Sequence, residues 1–142
     1  MSGPGLFASA PRPASVVTAA VLHWLLGAVW FTVWKNRWLE GVGRTAEQLR
    51  ASGQPPWLPH VVTLAANLAL AFVLGWLILS TGPSTLSRGV QMALVLWAGI
   101  AASVFATEYA FEARTLSTFA INAGYPLAGM IVMGSVLGAW NR

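Results

Sequence analysis

Apolar residues along this chain occur in four long runs, separated by shorter polar stretches. The runs cover about residues 16–34, 57–80, 88–107 and 117–140. About 20 apolar residues cross the roughly 30 Å core of a bilayer, so each run is long enough to be a transmembrane span. Lipid cannot hydrogen-bond the backbone, and the runs are too continuous for barrel strands. We therefore predict an all-α polytopic membrane protein, a four-transmembrane-helix bundle formed by one domain, residues 16–142.

The polar stretches predict the connecting structure. Residues 1–15 are rich in Gly, Pro and Ser and are expected to be an irregular N-terminal segment. Thr45 and Gln48 have the spacing of a capping box, which predicts a short interfacial helix in the first loop, near residues 45–51. Pro126 lies within the fourth run, where its missing N–H favours a kink.

Composition supports the membrane assignment and narrows the chemistry. Of the 142 residues, 56% are hydrophobic and 8% are charged, whereas soluble domains carry about 25% charged residues. The net charge of +4 comes from scattered basic residues, which argues against a nucleic-acid partner. The chain has no Cys, so disulfides and thiolate metal sites are excluded.

Small and aromatic residues predict how the helices pack. Gly134 and Gly138 form a small-xxx-small ridge that lets helix backbones approach closely, either within the chain or between two subunits. Trp residues near the span ends form an interfacial belt. The deeper Trp24, Trp30 and Trp97 are expected mainly to pack between helices, with bound lipid or pigment as the alternative.

Four spans bring two longer loops to one membrane face, which we call the loop face. Both termini and the short turn at 81–84 lie on the opposite terminal face. All four Glu residues of the chain are on the loop face. The candidate polar and ion-pair cluster there consists of Lys35, Arg37, His60, Glu108, Glu112, Arg114 and Asn122. The terminal face carries Arg12, Arg88 and Arg142.

Glu108 and Glu112 are four residues apart, so they share one helix face and repel each other unless a cation lies nearby. Lys35, Arg37 or Arg114 could supply that cation. Glu112 and Arg114 are two apart and do not face each other on a continuous helix, so Arg114 is expected to cap the helix or meet the loop. The carboxylates are either solvated ion pairs or a cation, proton or headgroup site, and Glu108 is expected to be the more buried of the two.

His23 and Asn67 are polar residues inside spans. Each is expected to form an interhelical hydrogen bond. His23 and His60 are assigned to opposite membrane faces, so no metal site is predicted. The chain has no nucleophile and base constellation, no dinucleotide fingerprint and no Asp. We therefore predict no catalytic residue, no enzyme activity and no cofactor.

Several short motifs resemble the bacterial membrane family known as domain of unknown function 1761. The motifs are Gly27-Ala28-Val29-Trp30-Phe31-Thr32, Trp34-Lys35-Asn36-Arg37-Trp38, Gly43-Arg44-Thr45-Ala46-Glu47, Phe111-Glu112-Ala113-Arg114 and Ile121-Asn122-Ala123-Gly124-Tyr125. Phe31 stands where the family usually has Tyr, and Val33 where it has Pro. The resemblance implies a small four-helix inner-membrane protein and supplies no activity.

Two functions are consistent with these features. The first is a structural or accessory subunit that packs against other membrane-protein subunits, copies of itself and membrane lipids. The alternative is a small transporter or channel with a polar path through Glu108, Glu112, Asn67 and His23. The loop face has five Lys/Arg and the terminal face three, which favours cytoplasmic loops and periplasmic termini in a bacterial inner membrane.

Overall fold

Four long helices form the protein, and each is long and apolar enough to cross a membrane. A computed structural model describes residue 5 and residues 8–141. The spans are Pro13–Val33, Leu58–Ser80, Leu86–Phe111 and Leu116–Trp140. They confirm the predicted all-α fold with four membrane-spanning helices.

The first span begins at Pro13, within the segment expected to be irregular. Proline is favoured at the first helical position because its missing N–H would be unpaired there anyway. Residues 1–4 and 6–7 of that segment, together with Arg142, lie outside the described residues.

The first loop contains two short helices, Lys35–Val42 and Ala46–Arg50. The second was predicted, and its capping box is present. Thr45 Oγ1 accepts from the Gln48 N–H at 3.1 Å, and Gln48 Oε1 accepts from the Thr45 N–H at 2.9 Å. The first was not predicted, because its polar composition is typical of a loop.

The third span contains a π-helical turn, Trp97–Ala101. Here the Ala102 N–H donates to the Trp97 carbonyl, five residues back, instead of four. Such a turn inserts one extra residue into the helix. It therefore rotates the second half of the span relative to the first by about 100°.

The fourth span is central and contacts the other three, while the first span also packs against the second. The hydrophobic core lies in the half of the bundle nearest the terminal face. Its buried members are Val16, Ala19, Ala20, Ala71, Leu74, Ile78, Ala93, Met130, Met133 and Leu137. Three of the six core residues on the first two spans are alanines.

Glycines bring the third and fourth spans into backbone contact. A Cβ atom on Gly89 would overlap the Gly134 carbonyl, and one on Gly138 would overlap the carbonyl of Thr85. The predicted ridge at Gly134 and Gly138 therefore faces another helix of the same chain. Glycine is required at this crossing because any larger residue would separate the two helices.

Hydrogen bonds close the terminal face. Asn141 Oδ1 accepts from the Arg12 N–H at 2.9 Å, and Asn141 Nδ2 donates to Ser15 Oγ at 3.0 Å. The buried Ser84 hydroxyl donates to the Gly138 carbonyl at 2.9 Å. These bonds join the starts of the first and third spans to the end of the fourth.

Two of the deep tryptophans donate hydrogen bonds to the fourth span near Pro126. Trp30 Nε1 donates to the Ile121 carbonyl at 3.1 Å, and Trp97 Nε1 donates to the Ala123 carbonyl at 2.8 Å. Pro126 has no N–H to donate to the Asn122 carbonyl, four residues before it, and the two tryptophans bond the carbonyls on either side of that position. The expected packing role of Trp30 and Trp97 is thus accompanied by a specific polar contact.

Candidate functional site

A half-open cleft of about 520 Å³ lies between the first and second spans, towards the loop face. Apolar surface predominates in it, and Tyr125 of the fourth span reaches its wall. It is lined by Trp24, Gly27, Ala28, Phe31, Thr32, Lys35, Pro59, His60, Thr63 and Tyr125. Its volume is in the range of small-molecule sites, about 300–1,000 Å³. We call this feature the lateral cleft.

Aromatic side chains keep the first and second spans apart here. A Cβ atom on Gly27 would lie 2.9 Å from the Tyr125 ring, so glycine makes room for the tyrosine. Phe31 then meets Tyr125 edge-on with ring centroids 5.4 Å apart. Trp24 meets His60 across the two spans at 5.9 Å, with the rings nearly perpendicular. These contacts fix the walls of the cleft.

Two exposed basic side chains lie at the outer end of the lateral cleft. Lys35 lies two residues after the end of the first span, and His60 is in the first turn of the second. Within residues 8–141, no carboxylate forms an ion pair with Lys35. The cleft therefore combines an apolar interior with an unneutralised cation at the membrane edge.

A buried polar group lies beside the Tyr125 wall. The His23 ring is 4.6 Å from the Tyr125 ring, only 2% of the residue is exposed, and it lies against Gly129. The Tyr125 hydroxyl faces the Asn67 amide and donates weakly to the His23 carbonyl at 3.5 Å.

Within residues 8–141, three nitrogen atoms of this group, His23 Nδ1, His23 Nε2 and Asn67 Nδ2, make no hydrogen bond of good geometry. The expected interhelical hydrogen bond is therefore absent from the His23 ring, and the Asn67 amide has only its approach to the Tyr125 hydroxyl. The two residues still come together, because Tyr125 of the fourth span lies next to both.

The sequence EYAFEAR, residues 108–114, ends the third span in a way that the sequence pattern did not indicate. The helix stops at Phe111, and Ala113 has a left-handed backbone with φ of 50°. The chain reverses, so the Arg114 N–H donates to the Tyr109 carbonyl at 3.2 Å and the Arg114 side chain pairs with Glu112. The expectation that Glu112 and Arg114 do not meet was wrong, because it assumed a continuous helix.

The predicted loop-face cluster divides into two parts. Glu108, Arg114 and Asn122 line a small recess of about 10 Å³ between the third and fourth spans. Lys35 and His60 line the lateral cleft, which shares no lining residue with that recess. Arg37 lines neither one. Glu108, expected to be the more buried carboxylate, is exposed.

Sequence reasoning missed most of the cleft lining. Trp24, Ala28, Phe31 and Lys35 recur at intervals of three or four residues, which is a signal for one helix face. That signal was obscured by the neighbouring stripe of His23, Gly27, Trp30 and Trp34. The approach of Tyr125 from the fourth span had no local signal.

Comparison with known proteins identifies the family. A model of the family described as "Protein of unknown function (DUF1761)" matches residues 14–138. The chain therefore belongs to this family, as the motif resemblance implied. No curated protein and no solved structure shows significant similarity to it.

Proposed function

We propose that this member of the DUF1761 family is a structural or accessory subunit of a membrane assembly, with no catalysis of its own. The proposal rests on the third span, which is the least buried of the four. Only 11% of its most apolar stretch is buried in the chain, compared with 39% for the fourth span. Such a helix leaves a large surface for another membrane protein or for lipid.

The outward surface of the third span suits a helix partner. A Cβ atom on Gly99 would meet no other atom within 4 Å, and Ser103 one turn later is also exposed. The Ser103 hydroxyl donates to the Gly99 carbonyl at 2.9 Å, so it needs no acceptor from outside. Outward Gly-xxx-Ser spacing lets a second helix backbone approach closely.

Purification in mild detergent tests this proposal. We expect the wild type to elute as an oligomer or with a co-purifying membrane protein, and Gly99→Leu and Ser103→Leu to release it as a monomer. Val104→Leu is the matched control, because Val104 is exposed on another face of the same helix. A wild type that is monomeric and alone would contradict the proposal.

The transporter alternative draws support from one observation, the unpartnered nitrogens of His23 and Asn67. The proposed polar path is weakened because Glu108, on the third span, and Glu112, just after its end, do not line the lateral cleft. Ion flux into proteoliposomes tests it. Loss of flux in both Glu108→Gln and Asn67→Leu would favour transport over the accessory role.

We also propose that the protein lies in a bacterial inner membrane with its termini in the periplasm. The excess of Lys/Arg on the loop face supports this orientation. Fusions at the C-terminus test it: alkaline phosphatase should be active there and green fluorescent protein dark. The opposite pattern would reverse the orientation.

A further inference from the structure

We propose that the lateral cleft binds an anionic phospholipid. The headgroup phosphate lies against Lys35 and His60, and one acyl chain lies along the aromatic wall formed by Trp24 and Phe31. This site is independent of the third-span surface proposed above for subunit contact.

The position of the two basic residues along the spans matches a phosphate. The first span ends at Val33 and the second begins at Leu58, so Lys35 and His60 lie at the level where the hydrocarbon core meets the headgroups. Trp57 and Trp38 lie at the same level, as expected for interfacial residues. A basic residue near the membrane surface attracts anionic lipid by about 1 kcal/mol.

The interior of the cleft matches an acyl chain. Pro59, Phe31 and Trp24 provide apolar walls, while the small Ala28 leaves the space between them open. The Thr32 hydroxyl needs no hydrogen-bond acceptor from a ligand, because it donates to the Ala28 carbonyl at 2.6 Å. An apolar space open towards the bilayer favours a lipid tail over water.

The walls are fixed before any ligand arrives. Phe31 contacts both Tyr125 and Trp38 edge-on, at ring centroid distances of 5.4 and 5.9 Å. Trp24 is held against His60. A preformed site loses little conformational entropy on binding, so modest contacts are sufficient for a retained lipid.

Native mass spectrometry of the purified chain tests the proposal, with phosphatidylglycerol and phosphatidylcholine of identical acyl chains as probes. We expect phosphatidylglycerol to be retained preferentially. Lys35→Gln should lower its occupancy about fivefold, the effect of one basic residue near the surface. Ala28→Phe should remove the bound lipid by filling the cleft.

Two control variants carry the same changes outside the cleft. Arg37→Gln removes a cation from the same face, and Val29→Phe adds the same ring to an exposed neighbour of Ala28. Both should retain phosphatidylglycerol. Thr32→Phe serves as a second cleft-filling variant if Ala28→Phe does not fold, as judged by circular dichroism.

Four results would overturn the proposal. The first is equal retention of the two phospholipids. The second is full retention of phosphatidylglycerol in both cleft-filling variants. The third is an equal loss in Lys35→Gln and Arg37→Gln. The fourth is displacement of phosphatidylglycerol by oleate at equal concentration, which would make a free fatty acid the ligand.

Discussion

The two halves of this bundle are packed by opposite means. Near the terminal face, the third and fourth spans touch through Gly89, Gly134 and Gly138, and small alanines make up half of the core residues on the first two spans. Near the loop face, rings from Trp24, Phe31 and Tyr125 hold the helices apart and leave a cleft.

This difference shows that small residues favour stable packing in one half of the helices, whereas large residues favour a binding site in the other half. In lipid, the hydrophobic effect does not drive helices together. Small residues that maximise contact between helices therefore hold together the half of the bundle near the terminal face, which we call the closed half. The other half gives up part of that contact. It gains an apolar space bordered by charge, which is the composition of a ligand site.

The largest expected effect comes from separating the glycine crossing. Gly89→Leu would force the third and fourth spans apart, so the free energy of unfolding should fall by about 3 kcal/mol or more. Unfolding in sodium dodecyl sulfate, followed by circular dichroism, measures it. Ala98→Leu, at an exposed position on the same helix, should change stability little. If the two substitutions lowered the free energy of unfolding equally, the conclusion that the glycine contacts hold the closed half together would be wrong.

A smaller loss is expected from opening the hydrogen bonds of the terminal face. Asn141→Leu removes the acceptor of the Arg12 N–H and the donor to Ser15. Leaving these groups without their partner should cost about 2 kcal/mol. The midpoint of thermal unfolding in dodecyl maltoside should fall accordingly, and an unchanged midpoint would contradict a structural role for Asn141.

Replacing an asparagine by leucine should have the opposite effect on stability near the loop face, in the half of the bundle that contains the lateral cleft. Asn67 is 5% exposed, and within residues 8–141 its Nδ2 has only the approach of the Tyr125 hydroxyl, so Asn67→Leu removes a poorly satisfied group. We expect a gain of about 1 kcal/mol in the same thermal assay. A clear loss of stability would mean that the amide has an unseen partner, such as a bound molecule.

The smallest effect is expected at the end of the third span. Ala113 has a positive φ, which is unfavourable for a residue with a Cβ atom. Ala113→Gly should raise stability by less than about 1 kcal/mol, whereas Ala110→Gly, within the exposed helix, should lower it. If both substitutions shifted the midpoint of thermal unfolding in the same direction, the left-handed conformation of Ala113 at the helix end would be contradicted.

Much of the fold could be predicted because its signals are local. A span needs only a long apolar run, and the capping box needs only Thr45 and Gln48 at the right spacing. The ridge at Gly134 and Gly138 also predicted close packing. Which helix it faces depends on the fold, since the same motif serves contacts within and between chains.

The candidate site was harder to predict because its geometry comes from departures from regular helix. Ala113 reverses the chain without the glycine that usually marks such a turn. As a result, Arg114 meets Glu112, and Lys35 is left without that carboxylate. Tyr125 enters the lateral cleft from a helix distant in sequence, so no pattern within the first two spans identifies it.

The π turn at Trp97–Ala101 adds one residue to the third span and so changes the direction in which all later residues of that span point. Every residue after it is presented about 100° away from where an uninterrupted α-helix would place it. The direction in which Ser103 and Glu108 point thus depends on how many residues precede them in the helix, as well as on what those residues are. A single deletion between 97 and 101 could redirect this entire surface while leaving every residue on it unchanged.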